Sequence, residues 1–136
     1  MGESFSVFPV GTVRSTLTRP EDAPRQGRAA GTEALLEIDP ACEEGLAGIG
    51  DNERLIVICW LHLAARDRLR VHPRGDGSSP ERGVFATRSP LRPNPFAVYT
   101  VDLLEVDGRR LRVRGIDAVD GTPVLDIRPH RPGLDD

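Results

Sequence analysis

The ten residues RLIVICWLHL at positions 54–63 constrain the fold more than any other stretch of the chain. They form a nearly continuous apolar run, rich in β-branched residues and bounded by turn formers. A bilayer span needs roughly 20 apolar residues, so the run is too short to cross one. Its length and its Ile and Val content predict a central strand, buried on both faces. A strand of that kind needs neighbours. FSVFPVGTVR at 5–14 alternates as a strand, with Pro9 marking an edge or a bulge. EALLEI at 33–38, GVFATR at 83–88 and TPVLDI at 122–127 read as further strands. VYTVDLLEV at 98–106 and RRLRVRGI at 109–116 flank Asp107-Gly108, a strong hairpin signal. Between 39 and 50, DPACEEGLAGIG predicts a helical turn or two, with Asp39 as N-cap and Pro40 at the first helical position. Amphipathic helix is nearly absent. The expected fold class is mainly β: one small barrel or closed sheet with at most one or two short helices.

At 136 residues the chain is long enough for one core and is expected to be a single domain over 1–136. Aromatic residues make up only 4%, so that core must be built from Val, Leu, Ile and Ala. The N-terminus lacks the basic region and long apolar stretch of a signal peptide, which predicts a cytoplasmic protein with no membrane partner. Cys42 and Cys59 have no metal-ligand spacing and read as reduced thiols rather than a disulfide. His62, His72 and His130 are the only histidines, and no helix carries two of them, so no metal site is expected. The chain has no lysine, which excludes Schiff-base chemistry and a P-loop. It also lacks a G-x-S-x-G elbow and a dinucleotide fingerprint. The net charge of −3 divides unevenly: residues 1–65 carry −5 and residues 66–114 carry +5. A basic middle third suits phosphate or nucleic acid, yet a solvated arginine face gives the same count.

Residues able to do chemistry gather where strands end, and loops held by a rigid scaffold are where function concentrates. Arg25 and Gln26 lie in the first long loop, and His62 follows the apolar strand. GVFATRSPLRPNPF at 83–96 brings Arg88, Ser89, Arg92 and Asn94 among three prolines. Such prolines cannot pair in a strand and stiffen the loop. Asp117, Asp120 and Asp126 cluster in IDAVDGTPVLDI. Each has a plainer reading: His62 as a structural histidine, Asp120-Gly121 as a turn, and Asp117 or Asp126 as a partner of Arg88 or Arg128.

Four stretches in order, V-G-T-V-R-S at 10–15, Pro24-Arg25-Gln26, G-V-F-A-T-R-S-P-L-R-P-N-P at 83–95 and D-G-T-P-V-L-D-I-R-P at 120–129, closely resemble the TsaA-like (TrmO) family. The resemblance implies a small β-barrel methyltransferase that uses S-adenosyl-L-methionine. It implies a homodimer with the cofactor near the interface, acting on N6 of threonylcarbamoyl-adenosine beside the tRNA anticodon. Carried over by motif, Pro24, Arg25, Gln26, His62, Leu63, Arg88, Val98, Gly115, Ile116, Asp117 and Ala118 would bind the cofactor. Ser89, Arg92 and Asn94 would face the substrate. One arginine would serve the methionyl carboxylate and another the threonyl carboxylate. Asp126, His62 and His130 are candidate proton acceptors, with Asp126 first and His130 in a tail that would be mobile. The chain departs from the family pattern where Phe96-Ala97-Val98-Tyr99 replaces I-G-L-S, where Arg128 replaces Lys and His130 replaces a frequent Tyr, and where no C-terminal extension follows. Those departures leave a small-metabolite acceptor, or a cofactor-binding module without catalysis, as rival readings.

Overall fold

In a computed structural model, which describes residues 2–17, 32–72 and 77–134, six strands close into an antiparallel barrel. They are β1 (Gly11–Arg14), β2 (Glu33–Ile38), β3 (Arg54–Trp60), β6 (Phe96–Asp107), β7 (Arg110–Arg114) and β8 (Pro123–Pro129), in the spatial order β1-β2-β7-β6-β3-β8. Two short strands, β4 (Arg70–Val71) and β5 (Arg82–Gly83), make a separate ribbon. Pro40–Leu46 and Ile49–Asp51 are 3₁₀ turns that join β2 to β3. Among the described residues no helix is long and apolar enough to cross a membrane.

The core is aliphatic, as the low aromatic content requires. Val13, Leu36, Leu55, Val57, Val101, Leu111, Val113, Ile116 and Val124 fill the interior. β2, β3 and β7 alternate regularly, so period two decides which of their residues enter. The apolar strand β3 is an instructive correction. Leu55, Val57 and Cys59 are buried, but Ile56, Ile58 and Trp60 are only half-buried. A closed barrel has one interior, so the outer face of β3 keeps its apolar side chains without being covered.

Three other expectations shift. The first strand begins at Gly11 rather than residue 5, because Pro9 ends the ladder, and Phe5 and Phe8 are exposed. GVFATR is not a strand beyond Gly83, since Val84–Ala86 turns as a 3₁₀ helix that buries Val84. The hairpin turn falls one residue later than its signal, on Gly108 and Arg109, with Asp107 facing Arg110.

Candidate functional site

Topology gathers the candidate loops at one end of the barrel. β3 ends there at Trp60 and β6 starts there at Phe96, a pair in register, so the segment that follows β3 leaves from that end and the one that precedes β6 returns to it. β7 ends beside it at Arg114, and residues 115–122 cross to β8. The segment between β1 and β2 also leaves and returns there: Asp120 N donates to Leu17 O at 2.7 Å and Gly115 N to Thr32 O at 2.7 Å. Pro24, Arg25 and Gln26, assigned to that segment by resemblance, lie outside the described residues.

Inside this mouth stands a pair of polar side chains. Tyr99 faces Val57 across the ladder and shares the inner face of β3 and β6. Its hydroxyl lies near enough to the Asp117 carboxylate for each to influence the other's ionisation. Burial first, and then the Asp117 charge, hold the Tyr99 hydroxyl protonated well above its ordinary range. Burial likewise raises Asp117, with the Tyr99 hydrogen bond pulling it back down. Gly115 bends the chain into this crossing at φ 110°, a conformation open to glycine and costly for other residues. Ile116 and Ala118 are buried on either side, so Asp117 is the one side chain of 115–118 that offers charge to a ligand. Cys59 lies close by, and burial pushes its thiol up to about 12.

The two loop arginines part company. Arg92 holds the loop together: its Nε donates to Ser89 O at 2.8 Å, and its Nη2 to Val84 O and Thr87 O at 2.6 Å each. Thr87 Oγ1 and Ser89 Oγ accept from the backbone of Ser89 and Leu91, which fixes the turns between. Pro95 is fully buried, and its carbonyl accepts from Leu61 N at 2.9 Å. Arg88 by contrast is exposed and donates only one long bond, 3.4 Å from Nη2 to Val98 O. It acts on Tyr99 through its charge. Asn94 is exposed, and its carbonyl takes Phe96 N at 2.7 Å. His62 and Leu63 lie exposed in the turn just past β3, at the same end.

The remaining candidates lie elsewhere. A bulge in the β3–β8 ladder sets Cys59 against Val124 but Ile58 against Asp126, so Asp126 faces outward. There its Oδ1 accepts from Ile127 N at 2.9 Å and its Oδ2 from Arg128 Nε at 3.1 Å. Ile58 separates it from Val98, two strand spacings or about 10 Å across the outer face. His130 is not in a loose tail. It is buried at the end of β8, its N–H donating to Arg54 O at 3.1 Å. Arg54 starts β3, so His130 and His62 occupy opposite ends of the barrel. A cavity of about 370 Å³ opens at that far end, lined by Val10, Ile38, Leu46, Ile49 and Ile127 with Asp126 and Arg128 at its edge. Its walls are mainly aliphatic, whereas the polar chemistry is at the other end. No group of three potential metal ligands occurs among the described residues.

Tyr99 escaped the sequence reading as a site residue. Its signal was parity: Tyr99, Val101 and Leu103 share one side of β6, and an inward hydroxyl near a strand end needs a polar partner.

Known proteins place this geometry. The family model of the tRNA-methyltransferase O N-terminal domain matches residues 12–136. An S-adenosyl-L-methionine-binding protein of Archaeoglobus fulgidus is 45% identical over 127 residues, covering 93% of this chain and 90% of its own length. A protein of Methanothermobacter thermautotrophicus, named "Probable S-adenosyl-L-methionine-binding protein", is 47% identical over 129 residues, covering 95% and 92%. The crystal structure of TrmO from Pseudomonas aeruginosa superposes with a TM-score of 0.81 at 33% identity. That match covers all of this chain and 59% of the solved one, so the chain spans about three fifths of that protein's length.

Proposed function

This chain belongs to the tRNA-methyltransferase O N-terminal domain family, and from that premise we propose that it is an S-adenosyl-L-methionine-dependent N-methyltransferase acting on N6 of threonylcarbamoyl-adenosine in tRNA. The observation that carries the reading is the barrel mouth, where an uncommitted arginine, Arg88, and a partly buried carboxylate, Asp117, stand around Tyr99. That donor set suits the cofactor, whose amino-acid end has a carboxylate and an ammonium and whose sulfur is cationic. When bound, the cofactor supplies an electrophilic methyl group. The chain supplies position, the main requirement of an in-line transfer. Arg88 would hold the carboxylate and Asp117 would meet the positive charges, while Leu63 and Val98, both exposed, would offer apolar surface to the adenine ring. Arg92 braces the loop through the carbonyls of Ser89, Val84 and Thr87. His62, exposed at the same end, would be the residue to take the N6 proton.

A polyanionic acceptor fits the surface beside the mouth. Arg68 and Arg82 flank the β4–β5 ribbon with no acidic partner among the described residues, and Phe85 next to them is 83% exposed. Arginines of that kind meet phosphates, and an exposed ring stacks on an unpaired base. A small-metabolite acceptor is the second reading, favoured by Tyr99, which brings an aromatic ring into the mouth. The same reading takes the protein as a cytoplasmic homodimer with the cofactor site near the interface. Its support is the apolar stripe of half-buried Ile56, Ile58 and Trp60 and exposed Phe96 and Val98 on the outer face.

Mass spectrometry of tRNA nucleosides, with and without the gene, tests the substrate. The methylated threonylcarbamoyl-adenosine should vanish on deletion and return when purified protein and cofactor are added. Its persistence would remove the tRNA reading. Cofactor binding without turnover on tRNA or metabolites would leave a binding module.

A further inference from the structure

The turn that carries His62 and Leu63 is fastened at both ends to the neighbouring proline-rich loop. At its start Leu61 N donates to Pro95 O at 2.9 Å, and Ala64 N closes the turn on Leu61 O at 3.0 Å. At its end the side chain of Arg66 reaches back. Its Nε donates to Pro93 O at 2.8 Å, and its guanidinium carbon lies over the Trp60 ring, 4.9 Å from the centroid. Trp60 is itself set edge to face at 5.4 Å against Phe96, its partner across the β3–β6 ladder. Both acceptor carbonyls belong to prolines, whose fixed φ makes them stiff anchors. The Arg66 bond spans 27 positions of sequence, so it ties one segment of the mouth to another, whereas Arg92 braces its own loop. Arg66 is exposed, and Trp60 stands on the outer face of β3, so this clasp lies outside the barrel core. We infer that Arg66 is a positioning residue: by stacking on Trp60 and bonding Pro93 O it holds the turn 62–65 in place, with Leu63 set for the nucleoside end of a ligand. A turn left free would have to be ordered as the ligand arrives, and that cost would come off the affinity. The inference rests on the cofactor reading above, in which Leu63 meets the adenine ring.

Two measurements separate this role from a merely structural one. Trp60 is the only tryptophan of the chain, so its fluorescence reports the clasp directly. Acrylamide should quench it more strongly in Arg66→Ala than in the wild type, because the guanidinium no longer covers the ring. Calorimetry with S-adenosylhomocysteine, which cannot donate a methyl group, then reads binding alone. Arg66→Ala should lower affinity about three- to tenfold, the cost of ordering a side chain or two on binding. The melting temperature should stay within about 2 °C of the wild type, as for other exposed positions. In a Leu63→Ala background the same substitution should cost less than about twofold, because the side chain it positions is gone. Unchanged quenching would show that the clasp does not form in solution and would overturn the inference. Wild-type affinity in Arg66→Ala, an undiminished loss without Leu63, or a large fall in melting temperature would overturn it as well. A wild-type protein that does not bind S-adenosylhomocysteine would instead bring down the cofactor reading, and this inference with it.

Discussion

At the scale of single residues, chemical type was legible and commitment was not. Arg88 and Arg92 are four positions apart and equivalent in sequence. Only the path of the loop shows that Arg92 has three carbonyls in reach while Arg88 has one distant one. The two should therefore fail differently. Arg88→Ala should weaken cofactor binding by about 1.5–3 kcal/mol in calorimetry, the loss of a charge-assisted hydrogen bond, with little change in melting temperature. Arg92→Ala should lower the melting temperature, and Arg92→Lys should not restore it, because a single ammonium cannot reproduce a planar fork. Cys59 gives a pH prediction. Its thiol titrates from 9.0 in the open chain and about 12 in the fold. Between those values the folded state holds a proton that the unfolded state has released, so stability falls as pH rises from 9 toward 12. Cys59→Ala should flatten that alkaline decline in urea unfolding, although the cavity lowers stability at every pH. An unchanged slope would show that the thiol does not contribute to it.

At the scale of elements, periodicity located most strands, and irregularities in the ladder set what it could not. The positions of β2, β7 and β8 were legible because alternation and turn residues agreed, and that of β3 from its continuous apolar run. The bulge opposite Ile58 was not, and it decides that Asp126 faces Arg128 outside rather than Tyr99 inside. Asp126→Asn should consequently leave methyl transfer near the wild-type rate, whereas His62→Ala should bind cofactor and lose turnover by about 10²–10⁴-fold. The reverse pattern in a single-turnover assay would return the proton-accepting role to Asp126. Closure of the barrel also depends on a close approach invisible in sequence. A Cβ at Gly11 would come within 2.5 Å of the Glu37 carbonyl, and Gly11 and Thr12 are the residues through which β1 meets both β2 and β8. Gly11→Ala should cost about 1–3 kcal/mol in denaturant unfolding, as overpacking against backbone does.

At the scale of the molecule, the uneven charge along the chain turns out to be a folding feature. The acidic first half supplies β2 and the basic middle supplies β7, and the two pair edge to edge: Glu33 meets Arg112 at 3.0 Å and Arg114 at 3.9 Å. Exposed pairs of this kind contribute little energy each, but they remove those arginines from any ligand's reach. Among the described residues Arg68, Arg82 and Arg88 make no ion pair and belong to the segment that leaves the barrel at the mouth, a division that composition alone cannot show. The same whole-molecule view explains the apolar run at 54–63. Its inner residues fill the barrel, so its outer residues Ile56, Ile58 and Trp60 need another reason to be apolar. Register places Val98 and Phe96 beside them, 51% and 45% exposed, with Trp60 and Phe96 edge to face at 5.4 Å. A two-fold dimer can bury one such stripe against its own copy, because an isologous interface presents the same patch from both sides. Light scattering should then give twice the 14.8 kDa chain mass. Val98→Glu puts a charge in the middle of that patch without touching the interior. It should yield a folded monomer with an unchanged circular dichroism spectrum, and it should weaken cofactor binding if the proposed site lies near that interface. A wild-type monomer at micromolar concentration would refute the dimer, and a Val98→Glu dimer would move its interface to another face.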